Sequence, residues 1–444
     1  MKPALRLGRR PFMLAALAAT ATRAAAADTL PVIFVHGNGD TAGLWITTAW
    51  RFESNGFPHD RLFALDLRYP LAGAVFDRPQ PGRSTAAAEM TQLADEVTRV
   101  KSLTGAAKVV LVAQSRGGNT ARNYLKNGGG APHVSLAVLC GAVNHGVIVS
   151  DEHLVGSEFN GASAFMRDLN STPGEIVEGV RFVTIRSDAN DKYAQPDAKY
   201  LGWPGTPTGV GFAGPALAGA ENVVMPGIDH RETGYGIAAF PPLFRAVTGL
   251  APTSRAITAE AAPVLNGKVS GFEGDAPTNI GIDGARVTVY RVDPVSAARQ
   301  GEAMHDRTTR PDGIWGPFTA DPASCHEFVL AAPGYPVTHI YRGKLPRSSD
   351  LLHLRPKPFT KDDAAAEAVL TMTRPRGYFG AGRDEVSLNG QPVSDVPPGV
   401  PTVSTTRFAG ATGRTVIGTF NDETIAARTW PVAENHASVI EITG

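Results

Sequence analysis

Ser115 stands at an abrupt change of pattern in the chain. The aliphatic run at 109–112 leads into Ala113-Gln114-Ser115-Arg116-Gly117, and a helical pattern follows from Asn119. A buried strand that turns sharply into a helix, with serine at the turn, is the nucleophile-elbow arrangement, whose exposed hydroxyl can attack an acyl carbonyl. Small residues at both ends of the pentapeptide let strand and helix approach closely, although the first is alanine rather than the usual glycine. The pattern predicts a catalytic serine.

A serine nucleophile needs a base and a group that orients the base. Where the serine stands at such a strand-to-helix turn, the acid and then the histidine follow it along the chain. His230 lies in a polar loop after a short strand and is the predicted base; the alternative is a surface histidine that caps the next helix. Asp188 and Asp191 both follow the strand predicted at 180–186, where active-site loops collect. Asp191 is favoured as the acid, and Asp188 stays open as the alternative.

Backbone amides are expected to stabilise the oxyanion that forms when the serine attacks. One donor is the N–H of Arg116, the residue after the nucleophile, and the other is the N–H of Asn38, in the loop after the first strand. Gly37 and Gly39 flank Asn38 and allow the backbone to come close to a substrate. His36, at the start of this loop, is predicted to brace it rather than to transfer protons.

The elements that must position these residues alternate strand and helix from residue 28 to about 250. This alternation predicts an α/β fold with a mostly parallel sheet and helices on both faces. The predicted strands are 31–36, 62–67, 108–113, 134–140, 180–186 and 223–224, and the main helices are 85–103 and 237–247.

Strand patterns dominate from residue 264 onward, apart from a helical Ala-rich stretch near 361–370. A break at 347–350 divides this part into a first β module (251–345) and a second β module (346–444). The sequence therefore predicts an α/β catalytic domain at 28–250 followed by two small all-β modules.

The first 27 residues predict export. They carry five basic residues and no acid, with Arg9-Arg10 followed by an Ala-rich stretch and small residues before Asp28. The paired arginines are typical of a twin-arginine signal, so a secreted or periplasmic location is expected. Without this segment 37 basic residues face 42 acidic ones, a balance that does not favour nucleic acid as a partner.

Two cysteines and three scattered histidines complete the reactive side chains of interest. Cys140 is predicted to be a buried core thiol, and its pairing with Cys325 stays open as an alternative. His326, His339 and His353 are expected at the surface, without metal-ligand spacing. No metal and no cofactor are predicted.

Residues 31–250 resemble the α/β-hydrolases of the bacterial and archaeal lipase and esterase kind. The resemblance rests on 31–39, 51–58, the elbow, Asn144-His145-Gly146 and the loops of Asp191 and His230. It implies hydrolysis of an acyl ester through an acyl-enzyme at Ser115. It also implies an insert at 147–179 that either forms a lid over the acyl site or packs as a helix. The resemblance implies that Leu154, Phe159, Phe165 and Met166 of this insert contact the substrate.

The rest of the chain has weaker resemblances. Residues 264–342 resemble a carboxypeptidase-regulatory or transthyretin-like β-sandwich, and residues 350–444 are expected to form a further β-barrel or sandwich. In lipases of similar layout such modules imply contact with a lipid surface or acyl chain. Two other functions stay open: an extracellular polyester (polyhydroxyalkanoate) depolymerase whose β modules bind polymer, and a surface-binding protein with a vestigial hydrolase domain. The oligomeric state is not predicted.

Overall fold

A six-stranded parallel sheet lies at the centre of the α/β region, residues 29–250. The computed structural model describes residues 29–380, 383–392, 403–410 and 412–444, so the predicted export signal lies outside the described residues. The strand order is β2-β1-β3-β4-β5-β8, and every neighbouring pair is parallel. The strands are β1 (Val32–Val35), β2 (Leu62–Leu65), β3 (Val109–Gln114), β4 (Val134–Cys140), β5 (Arg181–Arg186) and β8 (Glu221–Val224). A short hairpin, β6 (Asp197–Ala198) and β7 (Trp203–Pro207), separates β5 from β8.

Helices cover both faces of this sheet. They are α1 (Ile46–Ser54), α2 (Ala86–Thr104), α3 (Arg116–Asn127), α4 (Ala164–Leu169), α5 (Glu232–Tyr235) and α6 (Phe240–Thr248). One core joins Phe52, Phe240 and Leu243 to Phe34. A second core, on the other face, joins the apolar stripe of α2 and the side of α3 to the same strands. The strands β1 and β3 are buried along their whole length, and such aliphatic runs explain why this sheet was recognisable from the sequence.

The caps of α2 set its limits close to those predicted. Thr85 accepts a hydrogen bond from the backbone N–H of Ala88, and Gly105 adopts the left-handed conformation at the other end. The closing helix is shorter than predicted, since α6 begins at Phe240 rather than at residue 237.

Both predicted β modules contribute to one seven-stranded sheet. Its order is β13-β12-β15-β16-β23-β17-β20, and the predicted boundary at residue 346 falls between β16 and β17 in the chain. The strands are β12 (Arg286–Val292), β13 (His305–Thr308), β15 (Cys325–Ala331), β16 (Val337–Arg342), β17 (Ala368–Thr373), β20 (Val403–Phe408) and β23 (His436–Glu441). The two modules meet where β16 pairs with β23 in parallel, over six residue pairs from Val337 with His436 to Arg342 with Glu441.

Smaller sheets complete the β region. A four-stranded sheet has the order β19-β18-β21-β22, and two hairpin-sized sheets pair β10 with β11 and β14 with β9. The strands are β9 (Val264–Leu265), β10 (Ser270–Glu273), β11 (Ala276–Gly281), β14 (Phe318–Thr319), β18 (Val386–Leu388), β19 (Gln391–Pro392), β21 (Thr415–Phe420) and β22 (Glu423–Arg428).

The α/β region packs directly against this β region through α1. Ile46 and Trp50 of α1 belong to the core of the first β module, and Trp50 Nε1 donates to the carbonyl of Ser348 at 2.8 Å. No helix in the described part of the chain is long and apolar enough to cross a bilayer.

Two predictions for the β region were wrong. The Ala-rich stretch near 361–370 forms only a 3-10 turn at Asp363–Ala365 and then enters β17, where pairing with β20 and β23 outweighs the helix propensity of alanine. His326 and His339 are buried rather than exposed, and His339 Nδ1 bonds to Glu327 Oε1 at 2.7 Å. The two cysteines are free: Cys140 is buried in β4 and Cys325 is partly buried at the start of β15.

Candidate active site

Ser115 occupies the turn between β3 and α3 in a strained backbone conformation. Its φ is 53° and its ψ is −122°, and its N–H donates to the carbonyl of Cys140 at 2.9 Å. A backbone of this kind costs on the order of 1–3 kcal/mol and persists only where the surroundings hold it. Gly117 explains part of that hold, because a β-carbon there would lie 2.6 Å from the carbonyl oxygen of His36. The predicted elbow is therefore present in its expected geometry.

His230 and Asp191 form a buried pair next to this turn. His230 Nδ1 lies 2.9 Å from Asp191 Oδ2, and Asp191 Oδ1 accepts from the backbone N–H of Tyr193 at 2.9 Å. The carboxylate fixes the imidazole with its proton on Nδ1. His230 Nε2 is buried and has no hydrogen-bond partner among the described residues. That nitrogen is therefore free to accept a proton.

Asp188, the alternative acid, serves its own loop. It accepts hydrogen bonds from the backbone and side chain of Asn190 and from the backbone N–H of Gly227. These bonds hold the pKa of its carboxyl below the usual range despite the opposing effect of burial. The structure thus brings Asp191 and not Asp188 to the histidine.

A pocket of about 230 Å³ opens beside Ser115 and His230. The lining that surrounds the polar groups is apolar: Val143, Val147, Leu154, Phe159 and Leu201, with the rings of Tyr193 and Tyr378. Asn38, Gln114 and Arg231 supply the remaining polar wall. The pocket can therefore hold an apolar group with a reacting atom near the serine.

The loop of Asn38 is held firmly at the edge of this pocket. Asn38 Oδ1 accepts from the N–H of Ala72 at 2.8 Å, while Gly37 leaves no room for a side chain, since a β-carbon would lie 2.4 Å from Gln114 Oε1. His36 braces the same loop, because its Nε2 accepts from the N–H of Leu67 at 3.1 Å and its Nδ1 bonds to the carbonyl of Gly37 at 2.9 Å. Burial keeps the pKa of His36 low, so the brace is uncharged.

The side chain of Arg116 points away from the pocket and leaves only its backbone N–H near the serine. Its guanidinium is buried between Glu89 and Glu158, with contacts to both carboxylates. Two carboxylates thus share one cation, and burial raises the pKa of Glu89 to about 7 in spite of that cation. The charge cluster anchors the first turn of α3 below the nucleophile.

The four residues of the insert that were predicted to contact the substrate lie in two different places. Leu154 and Phe159 line the pocket. Phe165 and Met166 do not; they are buried in α4, and Phe165 packs on Phe76 with ring centroids 5.5 Å apart. The structure therefore places Phe165 and Met166 outside the lining of this pocket, on a helix that faces the loop of Phe76.

Several residues that line the pocket escaped the sequence-based prediction, among them Tyr193, Arg231 and Tyr378. The ring of Tyr193 meets the imidazole of His230 edge-on at 4.7 Å, and its position two residues after Asp191 was a usable signal. Arg231 follows His230 and bridges to Asp40, with Nη2 3.4 Å from Oδ2. Tyr378 comes from the second β module, and nothing in its local sequence indicated this place.

No group of three or more potential metal ligands forms within the described ranges. The described site brings a serine, a histidine and a carboxylate together beside an apolar pocket.

Two family models match the chain. Residues 31–200 match the alpha/beta hydrolase fold, and residues 263–359 match the Lipase C-terminal domain. The second match extends past residue 346, as does the shared sheet. No curated protein matches the chain in sequence.

Solved structures similar to the chain include lipases from a fungus and a bacterium. Aspergillus fumigatus lipase B has 16% identity and a TM-score of 0.35, with 51% of this chain and 54% of that chain covered, so the chain spans about half the length of the fungal lipase. Bacillus licheniformis lipase BlEst2 in mature form has 16% identity and a TM-score of 0.34, with 50% and 92% covered. The propeptide form of the same lipase has 12% identity and a TM-score of 0.37, and the match covers 90% of this chain and 92% of that chain.

The parallel sheet, the elbow at its centre and the two family matches lead to one assignment. The chain has an α/β-hydrolase fold, and its residues 263–359 match a lipase C-terminal domain.

Proposed function

We propose that the protein is a secreted serine carboxylester hydrolase, a lipase or esterase, that works through an acyl-enzyme at Ser115. One observation carries the proposal. The Asp191–His230 pair, 2.9 Å apart, leaves Nε2 without a hydrogen-bond partner in the described structure, on the same pocket as Ser115. Such a pair polarises a serine hydroxyl, and apo geometry often tightens only when substrate binds.

The proposed reaction has two halves. His230 Nε2 takes the hydroxyl proton as Ser115 Oγ bonds to the ester carbonyl carbon, and the amides of Asn38 and Arg116 hold the resulting oxyanion. The carbon–oxygen bond to the alcohol then breaks, and the imidazolium gives its proton to the leaving alkoxide. Water repeats the attack with His230 as base, which releases the carboxylic acid and restores Ser115.

The pocket supports an acyl ester with an apolar acid part. Five of the residues that line it have aliphatic or phenyl side chains: Val143, Val147, Leu154, Phe159 and Leu201. Such walls favour hydrocarbon through burial of apolar surface, at about 25 cal/mol per Å². Lipid esters fit this chemistry, and the lipase C-terminal domain supports contact with a lipid surface.

The test combines covalent labelling with turnover. Wild type should react with a fluorophosphonate probe and hydrolyse nitrophenyl esters, while Ser115→Ala should lose labelling and about 10³-fold or more of kcat. Ser135→Ala is the matched control, since Ser135 lies on the neighbouring β4 outside the pocket and bonds to the carbonyl of Val109. Retained labelling in Ser115→Ala would contradict the proposal, and an unreactive wild type would indicate a vestigial domain.

The class of the natural ester substrate can be determined with the same protein. Release from triglyceride emulsions should exceed release from polyhydroxyalkanoate films if the substrate is a lipid. The reverse result would favour a polyester depolymerase.

Export is supported by the sequence of the first 27 residues, with Arg9-Arg10 before an Ala-rich stretch. Replacement of both arginines by lysine should leave the protein in the cytoplasmic fraction, whereas wild type should reach the periplasm or the medium. Unchanged export of the double variant would exclude the twin-arginine route.

A further inference from the structure

The second β module reaches the loop that carries His230. Arg374 Nη1 donates to Asp229 Oδ2 at 3.0 Å, and the backbone N–H of Tyr378 donates to the same oxygen at 2.9 Å. Asp229 immediately precedes His230, and its carboxylate also accepts from the N–H groups of Arg231 and Glu232 at 2.7 and 2.9 Å. A single carboxylate therefore ties the local turn to a distant part of the chain.

A second carboxylate on the other side of His230 makes the same kind of contact. Glu232 Oε1 lies 2.5 Å from Arg374 Nη2, and Glu232 Oε2 lies 3.2 Å from Arg383 Nη1. Arg383 Nη2 also reaches Asp229 Oδ2 at 3.3 Å. Two acids that flank the histidine thus contact two arginines of the second β module, and one of these arginines, Arg383, is shared with Asp384 at 2.7 Å.

The guanidinium of Arg374 is fixed within its own module. Its Nε donates to the carbonyl of Gly444 at 2.7 Å and its Nη1 to the carbonyl of Tyr378 at 2.5 Å, and its side chain is only 2% exposed. A buried arginine with this many partners has little freedom to follow a moving loop. It acts as a fixed point against which the loop of His230 is held.

The same loop meets the Asn38 loop on its other side. Arg231 Nη1 donates to the carbonyl of Pro375 at 2.6 Å, and Arg231 Nη2 lies 3.4 Å from Asp40 Oδ2. The loop of the base is therefore enclosed between the second β module and the loop of Asn38. Tyr378, from the same module, forms part of the pocket wall.

We propose that Arg374 is a positioning residue for the hydrolase reaction: through Asp229 and Glu232 it holds the imidazole of His230 toward Ser115. The inference rests on the proposed ester hydrolysis and extends it. The α/β region alone then lacks a correctly held base, and the second β module is part of the catalytic apparatus. Arg374 itself lies outside the pocket lining.

The charges around His230 should affect the pH dependence of kcat/KM. Asp191, Tyr193, Arg231 and Tyr378 lie beside the imidazole, and Lys192 lies over the rings of the two tyrosines. Asp229 and Glu232 flank His230 in the chain, and Arg374, Arg383 and Asp384 complete their charge cluster. Loss of Arg374 leaves the two flanking carboxylates with less positive charge beside them. Their negative charge favours the imidazolium, which cannot act as a base, so the acidic limb of the kcat/KM profile moves to higher pH.

The experiment compares Arg374→Gln, Arg374→Lys and wild type as full-length proteins. Arg374→Gln should lower kcat on the order of 10-fold to 100-fold with KM little changed, because a displaced base slows the chemistry more than binding. The acidic limb should shift upward, and Arg374→Lys should recover much of both effects. Arg407→Gln is the control: it removes an ion pair to Asp363 in the same module, with Arg407 Nε 2.9 Å from Asp363 Oδ1, and should leave both readouts unchanged.

Arg383→Gln decides the matter if Arg374→Gln does not fold. Arg383 contacts the same two carboxylates but is 19% exposed, so its loss should give a smaller shift of the acidic limb in the same direction. A wild-type pH profile in the folded arginine variants would overturn the inference. A wild type that neither labels nor hydrolyses esters would overturn the proposed function instead, so the two failures are distinguishable.

Discussion

Glu89 shows how tightly charge is packed beneath the candidate nucleophile. It is fully buried, it shares the guanidinium of Arg116 with Glu158, and it accepts a hydrogen bond from the hydroxyl of Thr120 at 2.7 Å. Burial is the largest influence on this carboxyl and outweighs the pull of Arg116, so its pKa rises from 4.5 to about 7. The folded protein therefore binds a proton here that the unfolded chain releases at lower pH.

Glu89→Gln tests this residue. Between pH 4.5 and 7 the folded state holds more protons at Glu89 than the unfolded state, so this group's contribution to the free energy of unfolding falls as pH rises. The loss should be on the order of 3 kcal/mol and complete above about pH 7. Denaturant unfolding at several pH values should show Glu89→Gln gaining stability relative to wild type across this window. Parallel curves for the two proteins would contradict the prediction.

Local pattern identified the residues whose chemistry is visible in the chain. Ser115, Asp191, His230 and Asn38 each follow a strand that the sequence shows clearly, and parallel strands deliver such residues to one edge. Arg374 and Tyr378 could not be found in this way. Their role depends on tertiary docking across more than a hundred residues of chain, which no periodicity reports.

At the scale of elements, the elbow and the Asn38 loop form one packed unit. Gly117 on α3 lies against the end of β1, where a β-carbon would be 2.6 Å from the carbonyl oxygen of His36 and 2.7 Å from that of Val35. Backbone atoms cannot move aside as a flexible side chain can. The position of the proposed oxyanion donors therefore depends on a glycine two residues after the serine.

Gly117→Ala should separate this unit. The added methyl group pushes the start of the Asn38 loop away from Ser115, so kcat should fall on the order of 100-fold, with a loss of stability of about 1–3 kcal/mol. Gly56→Ala is the matched control, because its φ is +83° but nothing lies within 4 Å of the new atom. The control should lose about 1 kcal/mol of stability and keep its kcat. Equal kcat in the two variants, measured with a short nitrophenyl ester, would refute the dependence.

The elements of the β region were harder to derive than those of the α/β region. The chain near residue 368 is rich in alanine and looks helical, yet pairing with β20 and β23 makes it a strand. The parallel partner β23 lies about seventy residues further along the chain. Local propensity has no access to such a partner, whereas the aliphatic strands of the α/β region are recognisable one at a time.

At the scale of the whole molecule, the β16–β23 pairing makes the two predicted modules mutually dependent. The hydrophobic core that α1 enters combines Val287 and Phe328 of the first module with Leu352, Leu354 and Val439 of the second. Trp50 of α1 enters the same core. Three stretches of chain that are far apart in sequence thus share one interior.

Deletion of residues 346–444 should therefore not leave a stable first module. The truncation exposes β16 as a six-residue edge strand and removes Leu352, Leu354 and Val439 from the core. Such an edge promotes aggregation. Size-exclusion chromatography should show aggregates or a sharply lower melting temperature, with full-length protein as the reference. A monomeric truncated chain that melts with the full-length protein would show that the modules are independent.

The two cysteines differ in burial, so their rates of alkylation should differ as well. Cys140 lies on β4 at the centre of the parallel sheet, opposite Gln114 of β3 in the strand register. Burial raises the pKa of its thiol far above the usual range. An alkylating reagent reacts with the thiolate and needs access, so Cys140 should be modified only when the sheet comes apart. Cys325, partly exposed in the β region, should react far earlier. Timed alkylation read by mass would then date the opening of the parallel sheet through Cys140, with Cys325 as the internal reference for reagent access in the same sample.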